Sequence, residues 1–468
     1  MVGKCARLGT VAFHMHESLC NENAADGRKD KGLESRSEAT VSTSCADIPV
    51  NPAGKKDVFA SACAVAALVI YLFTQLFFRF GYMASLVQAF VGVDFLTMGE
   101  CAALSLALCT IVLRQYYFST ARFALSCLSL AVIICSAMLT GLHQLVHAFI
   151  FLLAFSGEDR NRLCRAYFLV TVAALVILVA LSLCGLITNR DIIPNDRLVF
   201  SYGFVHPNAC AAVIINALCA AAYILWERRD WAIVVVLALM SAAFSYWALS
   251  ARAGTVLCLA LAIACLVGHL KKPVPTVRNS KKIFIFVLVG IPSVLLVAML
   301  LSCVFFDATN PLFALLNKLT NARPHFAHSY FVRNGGFTIF GRPYVTTNYY
   351  HSGLPFQNLD SGYCYLPLVY GVATMAILFS AYVAIVVKGE WGRRRFIAGV
   401  LILLSAAYMT VESFGLNLAT CFPMLLLMTA LGCKAESGYL QNDTHDGLRG
   451  CGGGFGYVGE TNYPRPNE

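Results

Sequence analysis

Charged residues are scarce in this 468-residue chain. Asp, Glu, Lys and Arg make up 13% of it, whereas hydrophobic residues make up 58% and the mean hydropathy is +0.68. A soluble globular protein does not carry so much apolar sequence. Runs of about eighteen or more apolar residues recur, each long enough to cross a hydrocarbon core of roughly 30 Å. The composition therefore predicts an all-α, polytopic membrane protein with one membrane domain.

The start of the chain lacks a basic stretch followed by an apolar run, which argues against a cleaved signal peptide. Residues 1–57 are polar and mixed in charge, and we expect them to form a disordered cytoplasmic head. The tail 434–468 is similar, and its Gly-rich stretch is flexible by composition. The membrane domain is therefore predicted to cover residues 58–433.

No CxxC pair or other metal-ligand spacing occurs among the 19 cysteines, and the sequence has no DxD motif or carboxylate cluster. Most cysteines lie inside apolar runs, where they serve as small buried hydrophobes. We therefore expect neither a metal nor another cofactor. The net charge of +10 does not indicate nucleic-acid binding, because excess Lys and Arg in a membrane protein mark cytoplasmic loops.

The apolar runs predict about twelve membrane helices. They cover residues 59–80, 97–114, 121–141, 143–157, 164–187, 208–226, 231–248, 253–270, 283–306, 362–387, 394–411 and 414–432. The fourth is short. Residues 84–96 are a candidate re-entrant or interfacial piece.

Basic residues follow the even-numbered helices. They are Arg114, Arg122, Arg160, Arg162, Arg165, Arg228, Arg229, Lys271, Lys272, Arg278, Lys281, Lys282, Lys388, Arg393, Arg394 and Arg395. Because basic loops stay in the cytoplasm, both termini are predicted there. The outer face then holds residues 188–207, 250–254, 307–361 and 412–417. Helices six, eight, ten and twelve begin on that face, and their positive dipole ends suit an anionic ligand.

The segment 307–361 is the one long interruption between apolar runs. It is too long for a simple turn and too aromatic for a flexible linker, so we predict a large folded loop over the outer membrane face. Its ionisable residues include Arg323, Arg342 and Asp360. Its histidines, His325, His328 and His351, lack metal spacing and are interpreted as ordinary loop residues.

Two motifs open helices on the outer face. In YGFVHPNACAA, His206 and Asn208 can present donors to a ligand headgroup; the alternative is a polar cap on a helix that starts with Pro207. In LSARAGT, Arg252 can bind phosphate oxygens in a bidentate manner, and Gly254 permits close approach. The alternative for Arg252 is a side chain that snorkels from a helix end.

Two acidic residues lie at the same predicted face. Asp360 comes just before the tenth helix, where it is either a functional group or an N-cap. Glu412 lies between the last two helices at membrane depth, where an ionisable group is a functional candidate. The alternative for Glu412 is a cap or a partner for an outer Arg.

Taken in order, these motifs resemble the Wzy-type polysaccharide (O-antigen) polymerases of the wider O-antigen ligase superfamily. The matching pieces are HPN at 206–208, S-x-R-x-G at 250–254, N-x-x-x-x-A-R at 317–323, F-G at 340–341, L-D-x-x-Y at 359–363, Y-G at 370–371 and E-x-x-x-L-N at 412–417. Ser361 departs from the family, since many relatives have Asn there. Asp360 stands where ligase members tend to carry His, which favours the polymerase interpretation.

The resemblance implies an enzyme of the bacterial cytoplasmic membrane that acts at the outer face without a metal. It would transfer a growing glycan from an undecaprenyl-diphosphate carrier onto a sugar hydroxyl of the next lipid-linked unit, with inversion at the anomeric carbon. Its partners would be the lipid-linked oligosaccharide, the bilayer, a flippase and a chain-length regulator.

This chemistry needs cations for the leaving diphosphate and a base for the acceptor proton. The predicted diphosphate ligands are Arg252 and Arg323, with Arg342 in reserve. The candidate bases or acceptor-orienting groups are Asp360, Glu412 and His206. Further predicted substrate-binding residues are Asn208, Gly254, Tyr363 and Asn417.

Three alternatives remain open at this point. One is a ligase that moves finished glycan onto a different acceptor. Another is a polytopic transporter or glycan exporter, which should place ionisable residues in mid-helix and show related halves; the predicted helix centres carry almost no charge and no internal repeat is visible. The third is a non-catalytic assembly or receptor protein.

Overall fold

The computed structural model describes residues 52–84, 87, 94–114, 120–189, 191–192, 199–227, 230–270, 279–344, 359–392 and 394–431. The predicted tail and the head up to residue 51 lie outside these ranges. So do His351, most of the predicted piece 84–96 and several of the basic loop residues.

The described chain is almost entirely helical. Its helices are α1 (Pro52–Thr74), α2 (Phe95–Leu113), α3 (Thr120–Thr140), α4 (Gln144–Phe155), α5 (Arg160–Leu183), α6 (Pro207–Leu225), α7 (Trp231–Trp247), α8 (Arg252–Leu270), α9 (Asn279–Phe305), α10 (Pro311–Leu319), α11 (Arg323–Arg333), α12 (Gly362–Tyr365), α13 (Val372–Lys388), α14 (Arg395–Tyr408) and α15 (Phe422–Met428). Two π-helical turns follow α1 and α12, at Gln75–Arg79 and Leu366–Tyr370, and two 3₁₀ turns, Ser413–Leu416 and Leu418–Thr420, precede α15. One antiparallel pair of strands, β1 (Asp191–Ile192) and β2 (Val199–Phe200), lies before α6.

Seven described helices are long and apolar enough to cross a membrane, namely α1 with its π turn, α2, α3, α5, α6, α8 and α9. Four others, α4, α7, α13 and α14, are apolar but shorter. The chain is therefore an all-α polytopic membrane protein, as the composition predicts. The predicted count of twelve spans is not reproduced by helices of spanning length.

The largest differences from the predicted helices lie near the C-terminus. The predicted helix 362–387 is broken at Gly371, whose φ of +91° is left-handed. A Cβ at Gly371 would lie 2.4 Å from the carbonyl oxygen of Ile339 and 2.4 Å from the amide nitrogen of Gly341, so another segment of backbone fills the space beside the break. The predicted helix 414–432 is replaced by the two 3₁₀ turns and the short α15.

The segment 307–361 does not form the single large loop predicted for it, because its described part folds into two helices that continue the helical domain. It contains α10 and α11, which are separated by a tight turn where Asn321 and Ala322 have φ of +54° and +65°. Helix α11 packs against the end of α9, where the Cys303 thiol donates to the carbonyl oxygen of Ala327 over 3.6 Å. Residues 345–358 of the predicted loop lie outside the described part.

Helix α6 lies at the centre of the larger hydrophobic core. Nearly all of its residues are buried, from Pro207 to Tyr223, because Ala, Cys, Val and Ile surround its axis on every side. At its C-terminal end, Arg394 bonds to Asn161 over 2.6 Å and to Glu227 over 3.3 Å. The guanidinium of Arg394 also lies over the ring of Tyr223, 5.2 Å from its centroid, so a basic residue predicted at the inner face packs against this end of α6. The opposite, N-terminal end of α6 carries the candidate site.

Candidate functional site

Arg323 begins α11 and holds two carboxylates. Its Nη1 lies 2.7 Å from Oδ2 of Asp360, and its Nη2 lies 3.5 Å from Oε1 of Glu412. Its Nε donates to the carbonyl oxygen of Val411 over 3.0 Å. Every nitrogen of the guanidinium therefore faces an acceptor of the protein itself. We call Arg323, Asp360 and Glu412, with the nearby Asn208, the carboxylate cluster.

Glu412 is the most buried acid of the carboxylate cluster, with 7% of the residue exposed. Its Oε1 also accepts a hydrogen bond of 2.9 Å from the side-chain amide of Asn208, in the first turn of α6. Burial raises the pKa of Glu412 to about 7, and the negative charge of Asp360 adds to this effect, while Arg323 and Asn208 oppose it. A carboxyl group with this pKa can accept or give a proton near neutral pH.

Asp360 reaches the cluster because the backbone beyond it is anchored next to Glu412. The amide of Gly362 donates to the carbonyl oxygen of Met409 over 2.8 Å, and the Ser361 hydroxyl donates to the same oxygen over 3.3 Å. The N-cap of α12 is Ser361, not Asp360. Of the two alternatives for Asp360, the N-cap role therefore belongs to its neighbour, Ser361.

His206 caps α6, as one of the two alternatives for this motif predicts. Its Nδ1 accepts a hydrogen bond of 3.1 Å from the backbone amide of Asn208, and Pro207 occupies the first turn. Because Nδ1 must be unprotonated to accept this bond, protonation of His206 would remove the cap. The exposed His206 and the half-buried Asn208 thus lie side by side at the start of α6.

Arg252 begins α8 and is exposed. Within the described part of the chain its guanidinium makes no hydrogen bond or ion pair. Gly254 brings α8 against α6, since a Cβ at position 254 would lie 3.0 Å from the Cβ of Ala211. Ala211 lies one turn after Asn208, so the same end of α6 carries the carboxylate cluster and the start of α8.

Three other predicted residues lie outside the carboxylate cluster. The guanidinium of Arg342 donates to the carbonyl oxygens of Asn334 and Gly336, past the end of α11. Tyr363 is buried. The Asn417 side chain donates to Oε1 of Gln75 over 3.1 Å.

No family model, curated protein or solved structure matches the chain. Within the described ranges, no three His, Cys, Asp or Glu side chains come close enough to hold a metal ion together. The carboxylates of the cluster can transfer protons, and the guanidinium of Arg323 can stabilise negative charge on them.

A cavity of about 210 Å³ lies close to the carboxylate cluster. It is lined almost entirely by apolar side chains of α4, α9 and α12–α15, and Tyr363, Met409 and Leu416 are among them. Met409 and Leu416 flank the turn that carries Glu412. One end of the cavity therefore lies next to the turn that carries Glu412.

Gln75, Arg79 and Glu100 form a polar contact that the sequence did not lead us to predict. Gln75 is fully buried, and its side-chain amide donates to Oε1 of Glu100 over 2.6 Å. The same oxygen lies 3.6 Å from Nη1 of Arg79. The available signal was the pair of polar residues in QLFFRFGY, at the end of an apolar run. There, an amide and an arginine are easily mistaken for an ordinary helix end.

Proposed function

We propose that the protein is a glycosyltransferase that acts at the outer face of the cytoplasmic membrane. It moves a glycan from a lipid diphosphate to a sugar hydroxyl. The observation that carries this proposal is the buried Glu412, with a pKa of about 7, placed between Arg323 and Asn208. The order of motifs that resembles the Wzy-type polymerases supports the same reaction. The apolar cavity offers space for part of a lipid chain.

The reaction assigns a different role to each charged group. The acceptor hydroxyl oxygen forms a bond to the anomeric carbon, and the bond from that carbon to the diphosphate oxygen breaks. The diphosphate leaves with the bonding electrons, and the hydroxyl proton passes to the carboxylate of Glu412. Arg252, whose donors are unused by the described residues, binds the diphosphate. Arg323 positions the two carboxylates.

We further propose the topology that this function requires. The shorter helices cross together with the longer ones, so that both termini lie in the cytoplasm and the carboxylate cluster lies outside. Residues from three segments predicted at the outer face contribute to it, namely His206 beside Asn208, Arg323 with Asp360, and Glu412. The substrate is an undecaprenyl-diphosphate-linked oligosaccharide, and a flippase and a chain-length regulator are the expected partners.

A transporter or exporter is the second candidate. A buried acid with a pKa near neutrality beside an arginine is also the arrangement expected of a proton relay in a transporter. In that case Glu412 would exchange its proton as substrate crosses, and no glycosidic bond would form.

Purified protein in vesicles with lipid-diphosphate-linked repeat units separates these candidates. We expect wild type to build chains of several units, and Arg252→Ala to slow this by about a hundredfold or more, with single units left on the lipid. Lys281→Ala, near the start of α9 and on the face predicted to be cytoplasmic, removes a charge far from the proposed site and is the matched control. Polymer formation at the normal rate by Arg252→Ala would exclude the diphosphate role. Transfer of glycan to a different acceptor added to the vesicles, without chain growth on the lipid-linked units, would indicate a ligase. Substrate-driven proton flux without product would indicate a transporter.

A further inference from the structure

A second polar cluster lies at the end of α1 and consists of Gln75, Arg79, Glu100 and Asn417; we call it the amide cluster. The π turn Gln75–Arg79 places Gln75 in the interior and Arg79 at the surface. Burial of an amide is unfavourable unless it is hydrogen-bonded, and Gln75 is bonded on both sides, to Glu100 and to Asn417. These two hydrogen bonds therefore hold the side chains of Gln75, Glu100 and Asn417 in a fixed arrangement.

The accessible part of the amide cluster is the Arg79–Glu100 pair. The side chains of Arg79 and Glu100 are 33% and 16% exposed, and their nearest atoms are 3.6 Å apart. Among the described residues, Arg79 makes no hydrogen bond and Glu100 accepts one, from Gln75. The pair thus presents unused donors and unused acceptors side by side, with no net charge.

This combination selects the class of ligand. A phosphate carries only acceptors and would be repelled by Glu100, whereas an ammonium group carries only donors and would be repelled by Arg79. A hydroxyl group both donates and accepts, so a pair of neighbouring hydroxyls on a neutral sugar ring can bond to both side chains.

Two connections place the amide cluster beside the carboxylate cluster. The backbone after Arg79 pairs with the segment before His206, through bonds from Tyr82 N to Gly203 O (3.0 Å) and from Val205 N to Phe80 O (2.8 Å). On the other side, the chain runs from Glu412 to Asn417. Five residues of extended chain reach at most about 18 Å, so a short oligosaccharide can contact both clusters.

An aromatic pair lies between the two clusters. Phe414, in the turn that follows Glu412, meets Phe80, next to Arg79, with ring centroids 6.0 Å apart. Phe414 is partly exposed and offers an apolar face against which the C–H face of a sugar ring can pack. The partly exposed ring of Phe414 therefore offers a surface on which a sugar that contacts both clusters can pack.

We propose that Arg79 and Glu100 form a subsite for a neutral sugar of the lipid-linked oligosaccharide, a proposal that rests on the proposed function. The test compares two kinds of probe in nanodiscs without sugar detergents. One is farnesyl diphosphate. The others carry glucose, galactose or N-acetylglucosamine on the same diphosphate. We expect at least one glycosylated probe to bind wild type about tenfold more tightly than farnesyl diphosphate, as one or two charge-assisted hydrogen bonds would give.

Variants test whether Arg79 and Glu100 provide this gain in affinity. Glu100→Gln keeps the shape of the side chain and is expected to abolish the preference for the glycosylated probe, as is Arg79→Ala, while both bind farnesyl diphosphate as wild type does. Arg252→Ala should weaken both kinds of probe. Lys281→Ala should change neither, and thermal unfolding identifies any variant that fails to fold.

The outcomes separate this inference from the proposed function. If wild type binds farnesyl diphosphate but prefers no glycosylated probe, the subsite is excluded and the lipid-diphosphate chemistry stands. The subsite is also excluded if the preference survives in folded Glu100→Gln and Arg79→Ala. If wild type binds no probe at all, the proposed function fails and the subsite fails with it.

Discussion

Asn208 donates to the same carboxylate oxygen of Glu412 that faces Arg323. The amide lies 2.9 Å from this oxygen and the guanidinium 3.5 Å from it. Because the two donors come from α6 and α11, the carboxylate of Glu412 joins two helices that are far apart in the sequence. Both donors favour the charged carboxylate, whereas burial favours the neutral acid.

Asn208→Asp tests this balance. The substitution exchanges a donor for a second negative charge beside Glu412, so the pKa of Glu412 should rise further above about 7. We expect the pH at which polymerisation reaches half its maximum to move upward in Asn208→Asp. Asn208→Ser, which can still donate, is the control. An unchanged profile would mean that Glu412 does not limit the reaction.

The stability of the protein should depend on pH through Glu412. Its pKa is about 7 in the folded protein and about 4.3 in an unfolded chain. Between these values the folded state holds a proton that the unfolded state has lost. Stability is therefore greatest below the unfolded value and falls as pH rises, by up to about 1.4 kcal/mol per pH unit.

Thermal unfolding between pH 5 and 8 measures this dependence. Wild type should lose stability across that range, and Glu412→Gln should lose less, because a glutamine cannot ionise. Polymer formation should show the opposite trend and increase with pH, since the proposed base acts as the carboxylate. Equal slopes for wild type and Glu412→Gln would contradict the raised pKa.

Arg323→Ala should strongly reduce both stability and activity, because it leaves two partly buried carboxylates without their cation. Breaking a buried ion pair by removing one partner costs about 3–5 kcal/mol. We expect a large loss of thermal stability and no polymer. Arg323→Ala combined with Glu412→Gln should recover part of the stability but no activity. Without recovery, the loss would come from the unpaired Asp360 or from the lost bond of Arg323 to Val411, and not from Glu412.

The sequence was sufficient to predict most long helices, because an apolar run of spanning length has few alternatives in a membrane protein. The predicted helix 208–226 differs from the observed α6 by one residue at each end. The members of the carboxylate cluster were also visible as unusual polar residues near helix ends. The alternative that Glu412 partners an outer arginine matches the contact with Arg323.

The pairing within the site could not be predicted in the same way. Asp360 and Arg323 are distant in the sequence, and the packing of both α11 and α12 against α9 brings them together. A pattern of single residues could not show that the donors of Arg323 face the protein, whereas those of Arg252 remain unused in the described part of the chain. The amide cluster was missed for a related reason, since a π turn leaves no clear periodic signal.

The break at Gly371 likewise depends on a neighbour that no local pattern reveals, and it gives a direct test of the fold. Gly371→Ala would place a Cβ 2.4 Å from the carbonyl oxygen of Ile339, at a residue whose φ is +91°. We expect a loss of about 1–3 kcal/mol or more from the backbone conformation alone, seen as a lower unfolding temperature. Gly290→Ala in α9 is the matched control, because a Cβ at position 290 would meet nothing within 4 Å and alanine favours a helix by about 1 kcal/mol over glycine. If Gly371→Ala unfolded at the wild-type temperature, the close contact between the two backbone segments would be wrong.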